Sequence, residues 1–134
     1  NAVQLQQGTV MDLYPTILSV AHVKSPKHYA LDGADLKKLF QGKEDKKHRD
    51  DFLMHFPHGE HRANYFTTYR KGDWKLIYYY HPETTGVPTW KLYNLKDDPY
   101  EKTEVSAEYP EKTASMIEQM KDRLKEENAL YPEE

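Results

Sequence analysis

Residues 62–81, "RANYFTTYRKGDWKLIYYYH", constrain the fold more than any other part of the chain. They are rich in β-branched and aromatic residues, with "KGD" (Lys71, Gly72, Asp73) between two arms. This predicts a β-hairpin with arms at 62–70 and 74–81. In the second arm Trp74, Leu76, Tyr78 and Tyr80 alternate with Lys75, Ile77 and Tyr79. A strand's two-residue period puts the first set on one large, mostly aromatic face. "TWKLYNL" follows, its Trp90 sixteen positions after Trp74, with Trp90, Leu92 and Asn94 opposite Lys91, Tyr93 and Leu95. That spacing is too short for a repeat unit. Neighbouring antiparallel strands explain the paired Trp-Lys-Leu triplets, with Trp74 and Trp90 anchoring a covering element and Lys75 and Lys91 facing water.

The covering element is the C-terminal stretch "SAEYPEKTASMIEQMKDRLKEENALY". It reads as a helix capped by Ser106 or a residue just after it, with Pro110 in the first turn. Ala114, Ile117, Met120 or Lys121, and Leu124 form its apolar stripe. Ahead of the hairpin, "DFLMHFPHG" starts as a strand and ends in a turn. Near the N-terminus, Asp12 is placed to cap a short helix with Pro15 in its first turn and an apolar side of Leu13, Ile17 and Val20 or Ala21. A second short helix in "GADLKKLFQG" puts Leu36, Leu39 and Phe40 on one side, with Gly42 as C-cap. "KEDKKHRDD" reads as an exposed connection, and "PETTGVP" as a turn. The fold class is α+β: a small antiparallel sheet of about four strands packed against a long C-terminal helix, preceded by short helical segments. Residues 1–49 form the helical and loop part, and residues 50–134 the sheet and helix.

The chain has 19 basic and 22 acidic residues, a net charge of −3, which gives no overall attraction to nucleic acid or anionic membranes. The basic "KKHR" at 46–49 is followed at once by two aspartates and reads as a solvated loop. No cysteine is present, which excludes disulfides, thiolate metal sites and cysteine nucleophiles in these 134 residues. No apolar run approaches the ~18 residues of a membrane span. No signal peptide is visible, and the sequence starts at Asn1. G-x-S-x-G and G-K-[ST] strings are missing too. "DGAD" and "KDDP" do not match an EF-hand loop; turn and cap chemistry explains both.

The histidines hold the main chemical interest. "HFPHGEH" carries His55, His58, Glu60 and His61. Imidazoles beside a carboxylate suit zinc, or an anionic ligand, or local hydrogen bonds. Pro57 and Gly59 make the segment a turn, unlike the helix of an H-E-x-x-H site. Read alone, the chain is an α+β domain without a self-contained active site.

Four short motifs in order add to this. "VMDLYPTILSVA" carries Asp12, Pro15 and Thr16, and "LDGADLKKLFQGK" carries Asp32, Gly33, Asp35 and Leu36. "RKGDWKLIYYY" carries Arg70, Gly72, Trp74, Lys75, Leu76 and Ile77. "KLYNLKDDPYEKTEV" carries Leu92, Tyr93, Asn94, Leu95, Asp98, Pro99 and Glu101. Together, over residues 8–128, they resemble the C-terminal part of the sulfatase family, formylglycine-dependent and arylsulfatase-like, in the alkaline phosphatase superfamily. Glu104-Val105 departs from that family's usual Asn-Leu, and Glu104 is not expected to cap as Asn does.

The resemblance implies a truncated piece: the tail of a catalytic domain followed by a C-terminal subdomain. The parent would hydrolyse sulfate esters, of sulfated glycans by this reading, in a periplasmic or secreted setting. Its formylglycine, made from a C/S-x-P-x-R motif, and its calcium would belong to a missing N-terminal domain of the same polypeptide. "HFPH" is similar to a loop that reaches the substrate cleft in some glycan sulfatases. It makes His55 and His58 candidate substrate contacts, with His61 and Arg62 behind them. No catalytic or metal-binding residue is expected in this chain, and alone it is expected to be inactive. Its partners would be the missing domain, a sulfated glycan, and other copies through exposed apolar helix surface. Nucleic acid and membrane are not expected. The competing readings are a carbohydrate-binding or interaction module without catalysis, and a piece of a phosphatase or phosphonate hydrolase relative.

Overall fold

The computed structural model describes residues 3–57 and 65–131, and the chain divides into two compact units, Asn1–Asp50 and Asp51–Glu134. In the second unit, β1 (Asp51–Phe56), β2 (Phe66–Lys71), β3 (Trp74–Tyr79) and β4 (Trp90–Asn94) form one antiparallel sheet in sequence order. The expected α+β arrangement, with a four-stranded sheet and a long C-terminal helix, is the one adopted. Lys71 pairs with Trp74, so the hairpin loop is the two residues Gly72-Asp73 rather than three. Gly72 has a φ of 56°, the left-handed conformation that tight hairpin turns require and that glycine adopts without strain.

Two one-turn helices, α2 (Lys37–Phe40) and α3 (Pro82–Thr85), join the longer α1 (Leu13–Val20) and α4 (Pro110–Glu126). The segment read as a plain turn at "PETTGVP" is therefore helical at its start: Pro82 opens α3 and Gly86, with φ 67°, closes it.

The core lies between the sheet and α4. Tyr69, Leu76 and Leu92 contribute from the sheet, and Met116, Met120 and Leu124 from the helix. Burying each of these apolar side chains contributes on the order of 1.5–3 kcal/mol. The helix phase differs from the expected stripe: Thr113, Met116, Met120 and Leu124 are buried, Ile117 flanks them, and Ala114 is exposed. Thr113 can face inward because its hydroxyl donates to the Tyr109 carbonyl at 2.9 Å. The N-cap is Tyr109 and not Ser106.

Trp74 does pack against the core, and Tyr109 meets it edge to face at 5.1 Å. Trp90 does not anchor the helix, since 41% of its surface is exposed at the end of β4. Nor is Lys75 simply solvent-facing. Its ammonium lies 2.7 Å from the Glu101 carboxylate, and Tyr93 beside it is buried. The segment after β4 covers this outer face, which a strict two-period reading assigns to water.

That segment also closes the β4 edge. The Leu92 amide donates to the Glu104 carboxylate at 3.0 Å, and the Val105 amide donates to the Leu92 carbonyl at 3.0 Å. Glu104 accepts the Ser106 amide as well, at 2.7 Å, a bond within the turn that precedes α4. An exposed strand edge invites pairing with other chains, and here one side chain and one main-chain bond occupy it.

In the first unit a 3-10 turn, Val10–Asp12, leads into α1. Asp12 does not cap α1 with its side chain. Its buried carboxylate instead accepts the Thr9 amide at 2.6 Å, the Thr9 hydroxyl at 3.0 Å and the Ala34 amide at 2.7 Å. Thr16 is buried on α1, while Leu13, Ile17 and Val20 are exposed. In α2, Leu39 and the preceding Leu36 are buried but Phe40 is exposed. Gly42 ends that helix at φ 72°, as expected of a C-cap glycine.

Candidate functional site

His55 is the one expected site residue within the described part of the chain; His58, His61 and Arg62 lie outside the described residues. Strand pairing sets His55 opposite Thr67 on β2, and Thr67 opposite Tyr78 on β3. The Tyr80 amide donates to the Tyr65 carbonyl at 3.1 Å, carrying the ladder one step past β3.

These positions assemble a hydrogen-bonded chain. His55 Nε2 lies 2.7 Å from the Leu130 carbonyl, and Nδ1 lies 2.7 Å from Thr67 Oγ1. Thr67 Oγ1 is in turn 2.6 Å from the Tyr80 hydroxyl. A carbonyl can only accept, so Nε2 carries a proton and donates to Leu130. In the neutral ring Nδ1 then accepts from the Thr67 hydroxyl, which accepts from Tyr80. In this ordering each of the three protons is donated once. Burial pushes the Tyr80 phenol above its ordinary pKa, with Tyr131 and Tyr78 adding to the rise and the Thr67 bond opposing it.

The imidazole is therefore engaged at both nitrogens by the chain itself. Its geometry is that of a clamp between the end of β1 and the segment after α4. For His55 to contact a ligand through a ring nitrogen, one of these bonds must open. The Tyr80 and Tyr131 rings meet His55 edge to face at 5.9 and 6.2 Å. Sequence reasoning missed Thr67, Tyr80, Leu130 and Tyr131 as partners. The two-residue hairpin loop fixes β2 against β3, and so sets Thr67 near Tyr80, but it does not set β1; the pairing of His55 with Thr67 has no such signal, nor has Leu130.

Beside the clamp, Tyr78, Tyr80, Tyr131, Met120, Lys121 and Lys125 line part of a cleft of about 680 Å³. Within the first unit, Met11, Tyr14, Pro15, Tyr29, Leu31 and Gly33 line part of another, of about 650 Å³.

The motif residues of the first unit are engaged with one another. Thr16 donates to the Asp12 carbonyl at 2.6 Å and accepts the Leu36 amide at 2.8 Å. Gly33 passes so close to Met11 that a Cβ there would sit 2.1 Å from its carbonyl oxygen. Burial pushes the Asp12 carboxyl up, but the bonds from Ala34 and Thr9 prevail and hold it below the usual carboxylate range.

Among the described residues no three His, Cys, Asp or Glu side chains come together to hold a metal ion. The sequence contains neither C-x-P-x-R nor S-x-P-x-R. Among the described residues nothing fits a calcium site, and the sequence holds no formylglycine precursor string. No helix among the described residues is long and apolar enough to cross a membrane.

Residues 3–129 match the family model described as N-sulphoglucosamine sulphohydrolase, C-terminal. An uncharacterised sulfatase of Schizosaccharomyces pombe is 32% identical over 122 residues, covering 82% of this chain and 20% of the relative. A sulfatase of Formosa agariphila is 31% identical over 132 residues, covering 90% of this chain and 23% of the relative. The described fold also superposes on a solved structure of a protein in complex with its substrate, D-glucosamine-2-N,6-O-disulfate. That match has a TM-score of 0.65 and 27% identity, over 85% of this chain and 23% of the other. The chain spans about a fifth to a quarter of the length of each of these proteins.

Proposed function

The chain belongs to the family of N-sulphoglucosamine sulphohydrolase C-terminal domains, and on that premise we propose that it serves as the C-terminal portion of a sulfatase acting on sulfated glycans. Support for the substrate class comes from the structural relative bound to a disulfated glucosamine. In this reading the rest of the polypeptide carries the formylglycine nucleophile and the calcium, for neither of which the described residues offer a site. The present chain contributes packing and one rim of the substrate cleft, and alone releases no sulfate. A periplasmic or secreted setting accompanies the reading.

The observation that carries the rim assignment is the His55 clamp. It fixes the end of β1, from which the chain runs within three residues to His58 and then to His61 and Arg62. Imidazole N–H groups and a guanidinium fork are suited to sulfate and sugar oxygens. A clamped strand end is a rigid base from which to present them. The exposed Leu13, Ile17 and Val20 of α1 support a second element of the proposal. Such an apolar side is suited to packing against the remaining, catalytic part of the same polypeptide.

The deciding experiment reads the coding sequence upstream of Asn1 and assays the whole protein. A C-x-P-x-R or S-x-P-x-R motif there, with sulfate release from a sulfated amino sugar, supports the proposal. Lack of the motif, or a two-metal ligand set with Thr or Ser as nucleophile, overturns it. In the whole protein, His58→Ala and Arg62→Ala are expected to lower kcat/KM about tenfold or more each, equivalent to about 1.4 kcal/mol.

A further inference from the structure

The rim reading leaves unused the cleft between the end of β3 and the last turns of α4. Its floor is apolar, made by the buried Met120 and Leu124 with the half-buried rings of Tyr78 and Tyr80. Tyr78 and Tyr80 meet edge to face at 5.3 Å, and Tyr80 meets Tyr131 the same way at 5.9 Å. The three rings thus form a corner and not a stack.

The lip is polar. Among the described residues neither the Tyr78 nor the Tyr131 hydroxyl has a hydrogen-bond partner. Lys121, 3.0 Å from Glu118, stands within electrostatic reach of both phenols. Lys125 follows one turn later with no ion pair among the described residues. Asp122 is the only carboxylate among the described residues that line the cleft. Glu118 pairs Lys121, so Lys125 is the lining cation that has no ion pair among the described residues. An unpaired ammonium beside two phenol donors can offer an anion charge-assisted hydrogen bonds.

The volume of about 680 Å³ falls inside the range of small-molecule sites. Apolar rings beside a few unpaired donors suit a ligand with an apolar face and a polar, charged edge. A pyranose has those properties: its C–H groups pack on an aromatic ring while its hydroxyls and any acidic substituent point outward. We propose that this cleft binds an anionic sugar residue, a pyranose bearing a sulfate or carboxylate group. The ring rests against the tyrosines and the anion meets Lys125 and the free phenols. The site stands on the chemistry of the cleft and does not depend on the rim assigned to His58, His61 and Arg62.

The test uses the 134-residue chain and two-dimensional amide NMR with four probes: 6-O-sulfo-N-acetylglucosamine, glucuronate, N-acetylglucosamine and inorganic sulfate. One of the two anionic sugars is expected to shift amides of residues 78–80 and 120–131, binding about tenfold or more tighter than either N-acetylglucosamine or sulfate. The double variant Lys121→Ala, Lys125→Ala replaces exposed side chains and should fold normally, with affinity for that sugar lowered about tenfold. Tyr131→Ala, at an exposed position, should weaken the sugar without changing the response to sulfate.

Three results would overturn the proposal. One is the lack of cleft shifts with both anionic sugars up to about 10 mM. Another is equal binding of sulfate alone. The third is a response confined to residues 58–64, which would favour the rim reading and leave the cleft without a ligand. Failure of the rim variants in the whole enzyme would, conversely, leave the cleft result untouched.

Discussion

The Asp12 carboxylate accepts the Ala34 amide at 2.7 Å, joining two sequence motifs twenty-two positions apart. Two further bonds, from the Thr9 amide and hydroxyl, use its remaining capacity on the other oxygen. All three groups bonded to this side chain are donors, which an ionised carboxylate satisfies and an amide cannot. Asp12→Asn turns an NH₂ toward one of those donors and is expected to destabilise the first unit by about 1.5–3 kcal/mol. Hydrogen exchange at Ala34 and Leu36 reads this directly. Unchanged protection of both amides would show the bond to be dispensable.

The same carboxyl sets an acid limit. Its folded pKa lies below the ordinary value of 3.8, so its contribution is complete above that value and fades as pH falls through the lower, folded one. Glu104, which accepts the Leu92 and Ser106 amides, is likewise held below its ordinary 4.5 against the opposing effect of burial. Both units should therefore lose protection below about pH 4. An acid titration followed by hydrogen exchange at Ala34 and Leu92 checks each separately.

Gly33 is needed for space. An added Cβ would lie 2.1 Å from the Met11 carbonyl oxygen and 2.7 Å from the Asp12 nitrogen, both backbone atoms that cannot swing aside. Gly33→Ala should push the 33–36 segment off the 3-10 turn and break the Asp12–Ala34 bond. The expected loss is about 2–4 kcal/mol in the first unit, beyond that of Asp12→Asn, because overpacking adds to the lost bond. Amide chemical shifts of residues 9–16 would move if this holds; shifts confined to Gly33's immediate neighbours would contradict it.

The strands were legible because a two-residue period leaves few ways to place Trp74, Leu76 and Tyr78, and they do face α4. Stripe phase in α4 was not legible. Ala114 and Thr113 differ little in hydropathy pattern, and the choice rests on the Thr113 hydroxyl finding the Tyr109 carbonyl. Lys75 misled for a related reason: periodicity names the face of a strand, but cannot tell that Glu101 and its loop will cover it. The histidine cluster marked a place in the fold while concealing the work of His55. Both its partners, Thr67 and the Leu130 carbonyl, belong to other segments, one of them seventy-five positions away.

Phenol ionisation gives an alkaline counterpart to the acid limit. Burial raises the Tyr79, Tyr80 and Tyr93 hydroxyls above the ordinary 10.0, with Glu101 adding to the rise at Tyr79 and Tyr93. A raised folded pKa stabilises fully below the unfolded value and is lost as pH rises through the folded one. Above about pH 10 the second unit should weaken progressively. A spectrophotometric titration should show a late-ionising group of tyrosines, and Tyr80→Phe should shrink it. A single uniform titration of all eleven tyrosines in the folded chain would count against the burial argument.

Thr67 offers the sharpest separation of clamp from mere packing. It is fully buried, and its one hydroxyl serves both His55 Nδ1 and the Tyr80 phenol. Thr67→Val keeps the shape but leaves His55 Nδ1 and the Tyr80 phenol only their long mutual contact of 3.5 Å, at an expected cost of about 1–3 kcal/mol. Tyr80→Phe alone removes the donor and leaves Thr67 still bonded to His55, and should cost about 0.5–1.5 kcal/mol. In the double variant the stranded phenol no longer exists, so the combined loss should fall short of the sum by about 0.5 kcal/mol or more. Urea unfolding of the four proteins closes this cycle. Additive losses would mean that the three side chains merely adjoin, whereas a coupling of this sign, together with faster exchange in the segment after α4 in Thr67→Val, would establish that the end of β1 is held through His55.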